Sequence, residues 1–286
     1  MLRAAMRTWA AAGVPSTTIS LHVRTLRSAF SWAHQQRLLA SQPLAGMRGP
    51  GQPDPRRDVP LEVVRSLLSS ADRDVDEACS SAGTSAGLRS LHKAEQIRLL
   101  LRLAADTGAR RGELDALHCD DLHGRLLHIE RGVSDEIVTS TKTGRSRRIT
   151  VGTGTASLWH DTVSDWRSRL PTGLELGGWL FSADPDHGRR LRAGSLTHWF
   201  TEFVSRHGHR GVCLHALRHT VATVLVADGH LLQAQQRLGH AEASTTLRQY
   251  CHALPLHDVD TADHLEALLA KDAASTGLLS GPREQR

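Results

Sequence analysis

The stretch from Ser41 to Arg57 divides this chain. It holds four prolines (Pro43, Pro50, Pro53, Pro55) and three glycines (Gly46, Gly49, Gly51). Proline supplies no backbone donor and fixes φ, while glycine loses the most conformational freedom on ordering, so neither helix nor central strand can run through such a segment. A chain of 286 residues interrupted here is expected to fold as two bodies. The expected division is a small helical domain over 1–50, a linker over 51–57, a larger domain over 58–270 and a flexible polar tail over 271–286.

Charge follows the same division. Residues 1–57 carry Arg3, Arg7, Arg24, Arg27, Arg37, Arg48, Arg56 and Arg57 against the single acid Asp54, a net +7 in a chain whose total is +5. The remainder is therefore near neutral. A basic arm on a near-neutral body is what phosphate tracking requires, although a solvated basic surface has the same composition. The four cysteines (Cys79, Cys119, Cys213, Cys251) lack paired spacing, so neither a disulfide framework nor a zinc module is indicated. Arg3 and Arg7 interrupt the apolar residues of the N-terminus, which excludes a signal-peptide pattern, and no apolar run approaches a membrane span. A reducing, cytoplasmic compartment is expected.

Hydrophobic periodicity predicts helices over 2–12 and 17–39, with Ser16 as a candidate N-cap and one apolar stripe of Ile19, Val23, Leu26, Phe30 and Ala33. Arg24, Arg27 and Arg37 lie off that stripe and are expected to face outwards as DNA-binding residues. Further helices are predicted over 60–70 and 94–106, separated by a loop near 80–90, and one starting near Arg110. Short strands are predicted over 125–131 and 136–151, with Thr143-Gly144 as a hairpin turn. Helices then follow over 155–170, 194–207, 215–228, 230–238, 242–250 and 258–270. The expected class is mainly α with a small antiparallel sheet, α+β.

Several chemistries are absent from the sequence. It has no phosphate loop of the G-x-x-x-x-G-K type, no dinucleotide fingerprint and no H-E-x-x-H. His215 and His219 share a helix face, but Ala216 stands where zinc proteases need glutamate. Ser90-Leu91-His92-Lys93, Ser134-Asp135-Glu136 and Lys142-Thr143-Gly144 echo the three β-lactamase motifs, yet the second ends in Glu136 in place of Asn and nearly abuts the third.

The remaining motifs form an ordered set. Thr107-Gly108-Ala109-Arg110-Arg111-Gly112-Glu113-Leu114 joins two helices through a turn that can aim Arg110 inwards, while Glu113 faces its neighbours or caps backbone. Lys142 sits beside a hairpin turn. Leu214-His215-Ala216-Leu217-Arg218 places His215 and Arg218 on one helix face. Leu238-Gly239-His240 precedes Tyr250, the only tyrosine in the chain. Singly each has an innocent explanation in packing or surface charge.

Together they resemble the tyrosine recombinase, or phage integrase, family: an arginine box, a hairpin lysine, H-x-x-R, G-H, and a tyrosine about ten residues on. The resemblance covers residues 58–270. It implies a tyrosine-recombinase-like catalytic domain, with Arg110, Lys142, His215, Arg218, His240 and the nucleophile Tyr250 as catalytic set and Glu113 as structural support. Residues 1–50 resemble the latter part of the family's helical core-binding domain. The first helices of that domain are expected to be missing, as is any arm-site-binding domain. The resemblance further implies double-stranded DNA as partner, a homotetramer on synapsed DNA, accessory DNA-bending or directionality factors, no metal and no other cofactor.

Elementary chemistry fits the same set. Phosphoryl transfer depends on positioning and charge stabilisation, and two guanidiniums can clamp non-bridging oxygens with paired planar hydrogen bonds. Ionising a free tyrosine at pH 7 costs about 4 kcal/mol, which nearby cations and a histidine base would lower. A lysine can protonate the departing 5′ oxygen. A covalent 3′-phosphotyrosine preserves the bond energy, so religation needs no ATP. The alternatives to site-specific recombination are type IB topoisomerase-like relaxation of DNA and a non-catalytic DNA-binding regulator.

Overall fold

Two prolines open two of the helices of the computed structural model. After α1 (Leu2–Ala11), Pro15 leads into α2 (Ser16–Gln35), and Pro60 leads into α3 (Leu61–Ser80). Both prolines are extended, with ψ of 142° and 140°. Their carbonyls accept the first helical bonds, from Ile19 N–H at 3.0 Å and Val64 N–H at 3.1 Å. Ser16 is therefore the first helical residue and makes no capping hydrogen bond, because proline's fixed φ already sets the turn into the helix. The structure describes residues 1–50, 58–134, 136–140, 146–192 and 194–239, in two units, Met1–Arg57 and Asp58–Arg286.

The first unit contains α1 and α2. Only the N-terminal half of the expected α2 stripe is covered: Ile19 and Val23 are buried, Phe30 and Ala33 are half-buried, and Leu26 is exposed. The helix stops at Gln35, short of Leu39. Arg37 adopts φ +59°, and the bonds Leu38 N–H to Ala33 O and Arg37 N–H to His34 O close a Schellman turn at a position glycine usually fills. The segment after it folds back on α2, where the Ser20 hydroxyl donates to Pro50 O at 2.8 Å.

In the second unit, α3 and α4 (Ser85–Thr107) are much longer than the predicted 60–70 and 94–106. The Ser/Ala/Gly-rich residues read as a loop near 80–90 are mostly helical. Their small side chains carry little apolar signal, yet Thr84 caps α4 by accepting from Gly87 N–H at 3.0 Å, so only a tight turn is needed between the helices. After α5 (Arg111–Leu114) the chain forms two small antiparallel sheets where one was expected. β1 (Leu122–His123), β2 (Leu126–Ile129) and β5 (Arg147–Thr150) pair in the order β1-β2-β5, with Leu127 opposite Ile149 and Ile129 opposite Arg147. β3 (Arg131–Ser134) and β4 (Ile137–Ser140) form a separate hairpin, turning at Glu136 with φ +67°. The predicted turn at Thr143-Gly144 lies outside the described residues.

α6 (Thr153–Ser168), α7 (Ser195–Arg206), α8 (Leu214–Ala227) and α9 (Leu231–Leu238) complete the described chain. The main core surrounds α4, whose Leu99, Leu100 and Leu103 are fully buried with Trp159 of α6, Phe200 and Phe203 of α7, and Phe181 of an irregular segment. α8 spans two cores. Leu214 and Leu217 join the main one, while Ala222 and Val226 pack with Ala234 and Leu238 of α9 in a smaller one. This places the end of α9 beside the end of α4. Among the described residues no helix is long and apolar enough to cross a membrane. The helices predicted over 242–250 and 258–270 lie outside the described residues.

Candidate active site

Two glycines shape the junction. Gly108 ends α4 with φ +61° and Gly239 ends α9 with φ +64°, both in the left-handed region that a side chain makes costly. A Cβ on Gly108 would also come within 3.0 Å of Leu238 on α9. These are the glycines of the T-G-x-R and L-G-H motifs, and their physical role is to stop two helices abruptly and close together. Thr107 assists: its buried hydroxyl donates to Leu103 O at 2.7 Å and accepts from Ala109 N–H at 3.1 Å.

A helix C-terminus leaves carbonyls without intrahelical partners and carries partial negative charge. At α9 three consecutive carbonyls are met by three arginines. Arg147 Nε donates to Arg237 O at 3.0 Å, Arg218 Nη2 to Leu238 O at 2.7 Å and Arg110 Nη2 to Gly239 O at 3.3 Å. Arg218 is 4% exposed, and its Nη1 also donates to Gly108 O at 2.6 Å, so one guanidinium ties the ends of α4 and α9 together. Arg237 adds a second tie, donating to Asp106 O at 2.9 Å and to the Asp106 carboxylate at 2.5 Å, which also accepts from Gly152 N–H at 2.7 Å.

Glu113 lies behind Arg110. Arg110 is the N-cap of α5, and the Glu113 carboxylate accepts its backbone N–H at 2.8 Å and its Nη1 at 2.9 Å. Arg147 donates to both oxygens of the same carboxylate, at 2.9 Å and 2.7 Å. Burial pushes the Glu113 carboxyl up, the largest single influence. The hydrogen bonds and charge of Arg147, joined by the N–H and charge of Arg110, outweigh it and bring the carboxyl down to about 2.

Of the expected site residues, the structure thus brings Arg110, Arg218 and Glu113 to the residue before His240. His215, one helical turn before Arg218, is exposed where Arg218 is buried. Its Nε2 lies 3.0 Å from Nε2 of His219, with the rings edge to face. Among the described residues no group of three or more His, Cys, Asp or Glu side chains is placed to hold a metal ion. Lys142, His240 and Tyr250 lie outside the described residues. In the first unit Arg24 and Arg37 are exposed, whereas Arg27 is half-buried and its Nε is buried without a hydrogen bond, contrary to the outward position expected for it.

Arg147 belongs to the same hydrogen-bonded cluster, and the motifs do not indicate it. It stands in the basic run Arg145-Ser146-Arg147-Arg148, which reads as a solvated hairpin. The available signal is its register: Arg147, Ile149 and Val151 alternate with Arg148 and Thr150, placing Arg147 on the inward face of β5, where an arginine needs a carboxylate.

The phage integrase family model matches residues 85–257. The tyrosine recombinase XerC of Mycobacterium tuberculosis (strain ATCC 25177 / H37Ra) is 28% identical over 88% of this chain and 78% of its own. XerC of Escherichia coli O127:H6 is also 28% identical, over 82% and 69%. Among solved structures, the Tn1549 transposon integrase in complex with transposon right end DNA superposes with a TM-score of 0.68, covering 94% of this chain and 84% of that one at 18% identity, a likeness of fold. With more than half of its length matched by the family model, this chain belongs to the phage integrase family of tyrosine recombinases.

Proposed function

We propose that this recombinase cuts and rejoins DNA through a covalent bond from Tyr250 to a backbone phosphate, at the junction of α4 and α9. Arg110 and Arg218 hold the phosphate's non-bridging oxygens and stabilise the charge of the transition state. The Tyr250 oxygen attacks phosphorus, His215 and His240 assist its deprotonation and the binding of the phosphate, and Lys142 gives a proton to the departing 5′ oxygen. Reversal of the same steps by a 5′ hydroxyl of another strand completes exchange. The observation that carries this reading is the convergence of Arg110 and Arg218, distant in sequence, on the adjacent carbonyls of Gly239 and Leu238.

The exposed basic residues of 1–50, Arg24 and Arg37 among them, contact DNA phosphates, with 51–57 as linker and 58–270 as the catalytic domain. Four protomers synapse two duplexes, with accessory DNA-bending or directionality factors choosing the direction. The test of the nucleophile uses a nicked duplex that the chain itself enriches from a randomised pool. The wild-type chain forms an SDS-resistant protein–DNA band, and Tyr250→Phe binds the duplex but forms none. A band from Tyr250→Phe removes that residue from the role.

A further inference from the structure

We infer that Arg147 is a positioning residue for this chemistry, neutralising Glu113 so that the charge of Arg110 remains available to a phosphate. The inference rests on the reading of Arg110 as a phosphate ligand and adds a residue to it.

The geometry is symmetrical. One oxygen of Glu113 accepts from Nη1 of Arg110 and Nη1 of Arg147, both at 2.9 Å. The other accepts from Arg110 N–H at 2.8 Å and Nη2 of Arg147 at 2.7 Å. With Glu113 only 3% exposed, its charge is poorly screened by water or salt. Paired with Arg110 alone it would leave a group of zero net charge facing an incoming anion. With Arg147 the three side chains carry +1. Glu113 still fixes Arg110 through its backbone N–H and guanidinium, but Arg147 carries the counter-charge.

Arg147 has its charge committed to a carboxylate: Nη1 and Nη2 both donate to Glu113, and Nε donates to Arg237 O. Gly239 closes over it: a Cβ there would lie 3.0 Å from Nη1 and 3.1 Å from Cδ. The residue acts through Glu113 and through the end of α9, which leads directly to His240. Position 147 on β5 is held by Ile149, buried in the main core two residues on.

Single-turnover adduct formation on the enriched nicked duplex tests this. Arg147→Met keeps the stem and removes the charge, and should slow adduct formation by about a hundredfold while DNA affinity changes little. Arg147→Lys keeps the charge and should stay within about tenfold of wild type. The deciding variant is Arg147→Met combined with Glu113→Gln. It returns the cluster to +1 and should be faster than Arg147→Met alone. A residue that only braced the fold would show the opposite, with the double variant as slow as the single one or slower, and that result overturns the inference. An Arg147→Lys protein slowed by about a hundredfold overturns it too. That comparison needs only the wild type, so it holds even where the Met variant melts below assay temperature. Arg110→Ala separates the two levels. If it cleaves like wild type, the reading of Arg110 fails and this inference with it. If it is crippled while Arg147→Met is not, this inference alone fails.

Discussion

Glu95 and Glu113 are both buried carboxylates, 4% and 3% exposed, and both meet arginines, but the charge around them is balanced differently. Glu95 on α4 takes one guanidinium in a two-pronged contact, Arg169 at 2.7 Å and 2.8 Å, and adds Trp166 Nε1–H at 2.8 Å. Arg169 also lies 4.0 Å from the exposed Asp165, so negative charge at least matches positive and the group is closed. Glu113 takes two guanidiniums, Arg110 and Arg147, and the remaining positive charge sits at the end of α9. Burying charge is costly, and a matched pair recovers part of that cost through its own attraction. An unmatched surplus of cations is disfavoured by the fold alone and is useful only to an anion. The difference separates scaffold from site without reference to any motif.

The largest expected effect would break or confirm that separation. Arg218→Ala and Arg110→Ala should each lower adduct formation by about a thousandfold at saturating DNA. Arg169→Ala, assayed where it remains folded, should leave the rate near wild type. Cleavage should survive EDTA throughout, because the arginine surplus supplies the positive charge that magnesium supplies in many nucleases. An Arg169→Ala protein as inactive as Arg218→Ala would remove the distinction between the two clusters. So would wild-type activity lost in EDTA and restored by magnesium.

The next effect is on stability. Arg169→Ala leaves the buried Glu95 carboxylate with the Trp166 indole and no counter-charge from position 169. It should cost about 2 kcal/mol of unfolding free energy, the usual penalty being reduced by water that reaches a partly exposed arginine. Urea unfolding at neutral pH measures it. A change near zero would mean that the closed pair contributes nothing net, as exposed pairs do.

The two clusters also differ in how far the sequence alone reveals them. Local rules identify the turn glycines: Gly108 and Gly239 follow the last apolar residues of helices and take the left-handed caps expected of such residues. Arg110 and Glu113 are legible as a helix start for the same reason. Arg147 is not, because its inward position depends on β5 pairing with β2, a contact that local periodicity in a short basic run does not display. The burial of Arg218 beside an exposed His215 is hidden too, since spacing shows that two residues share a helix face but not where along that face α9 packs. The Glu95–Arg169 pair joins α4 to the residue after α6, and no local pattern connects them. Periodicity misses the long α3 and α4 near 80–90 because helix propensity and capping carry the chain there.

Acid sharpens the comparison further, since the two clusters should fail in different pH windows. Glu113 ionises at about 2 in the folded chain against an ordinary 4.5, so its charged form is stabilised by folding. That contribution, roughly 3 kcal/mol at most, is fully present above pH 4.5 and is lost as pH falls toward 2. Glu113→Gln should therefore flatten the unfolding free energy below pH 4.5 and leave the slope at higher pH unchanged. Unchanged slopes at low pH would show that Arg147 and Arg110 do not hold the carboxylate down.

An effect of similar size to that of Arg169→Ala belongs to the histidine beside the Glu95 cluster. His187 is fully buried, stacked on Trp166 with ring centres 4.3 Å apart and edge-on to His92 at 4.9 Å. Its Nδ1–H donates to Trp179 O at 2.7 Å, and its Nε2 is buried with no hydrogen-bond partner. A proton on Nε2 would put an unpaired charge in the core, so burial, aided by the neighbouring His92, lowers the imidazole from 6.5 to about 4. Folding thus favours the neutral ring. Its contribution is whole above 6.5 and drains away as pH falls toward 4, where the unfolded chain is protonated and the folded chain is not. Between pH 7 and pH 5 the loss should be about 2 kcal/mol. His92, itself shifted down by burial, adds to the slope in the same direction. His187→Asn isolates the share of His187, because the amide can still donate to Trp179 O and asparagine tolerates the φ of +55° found there. Urea midpoints at pH 7 and pH 5 should diverge less for the variant than for wild type. Equal divergence would mean that His187 is already charged or already solvated in the folded chain, and the acid-sensitive half of the comparison would be lost.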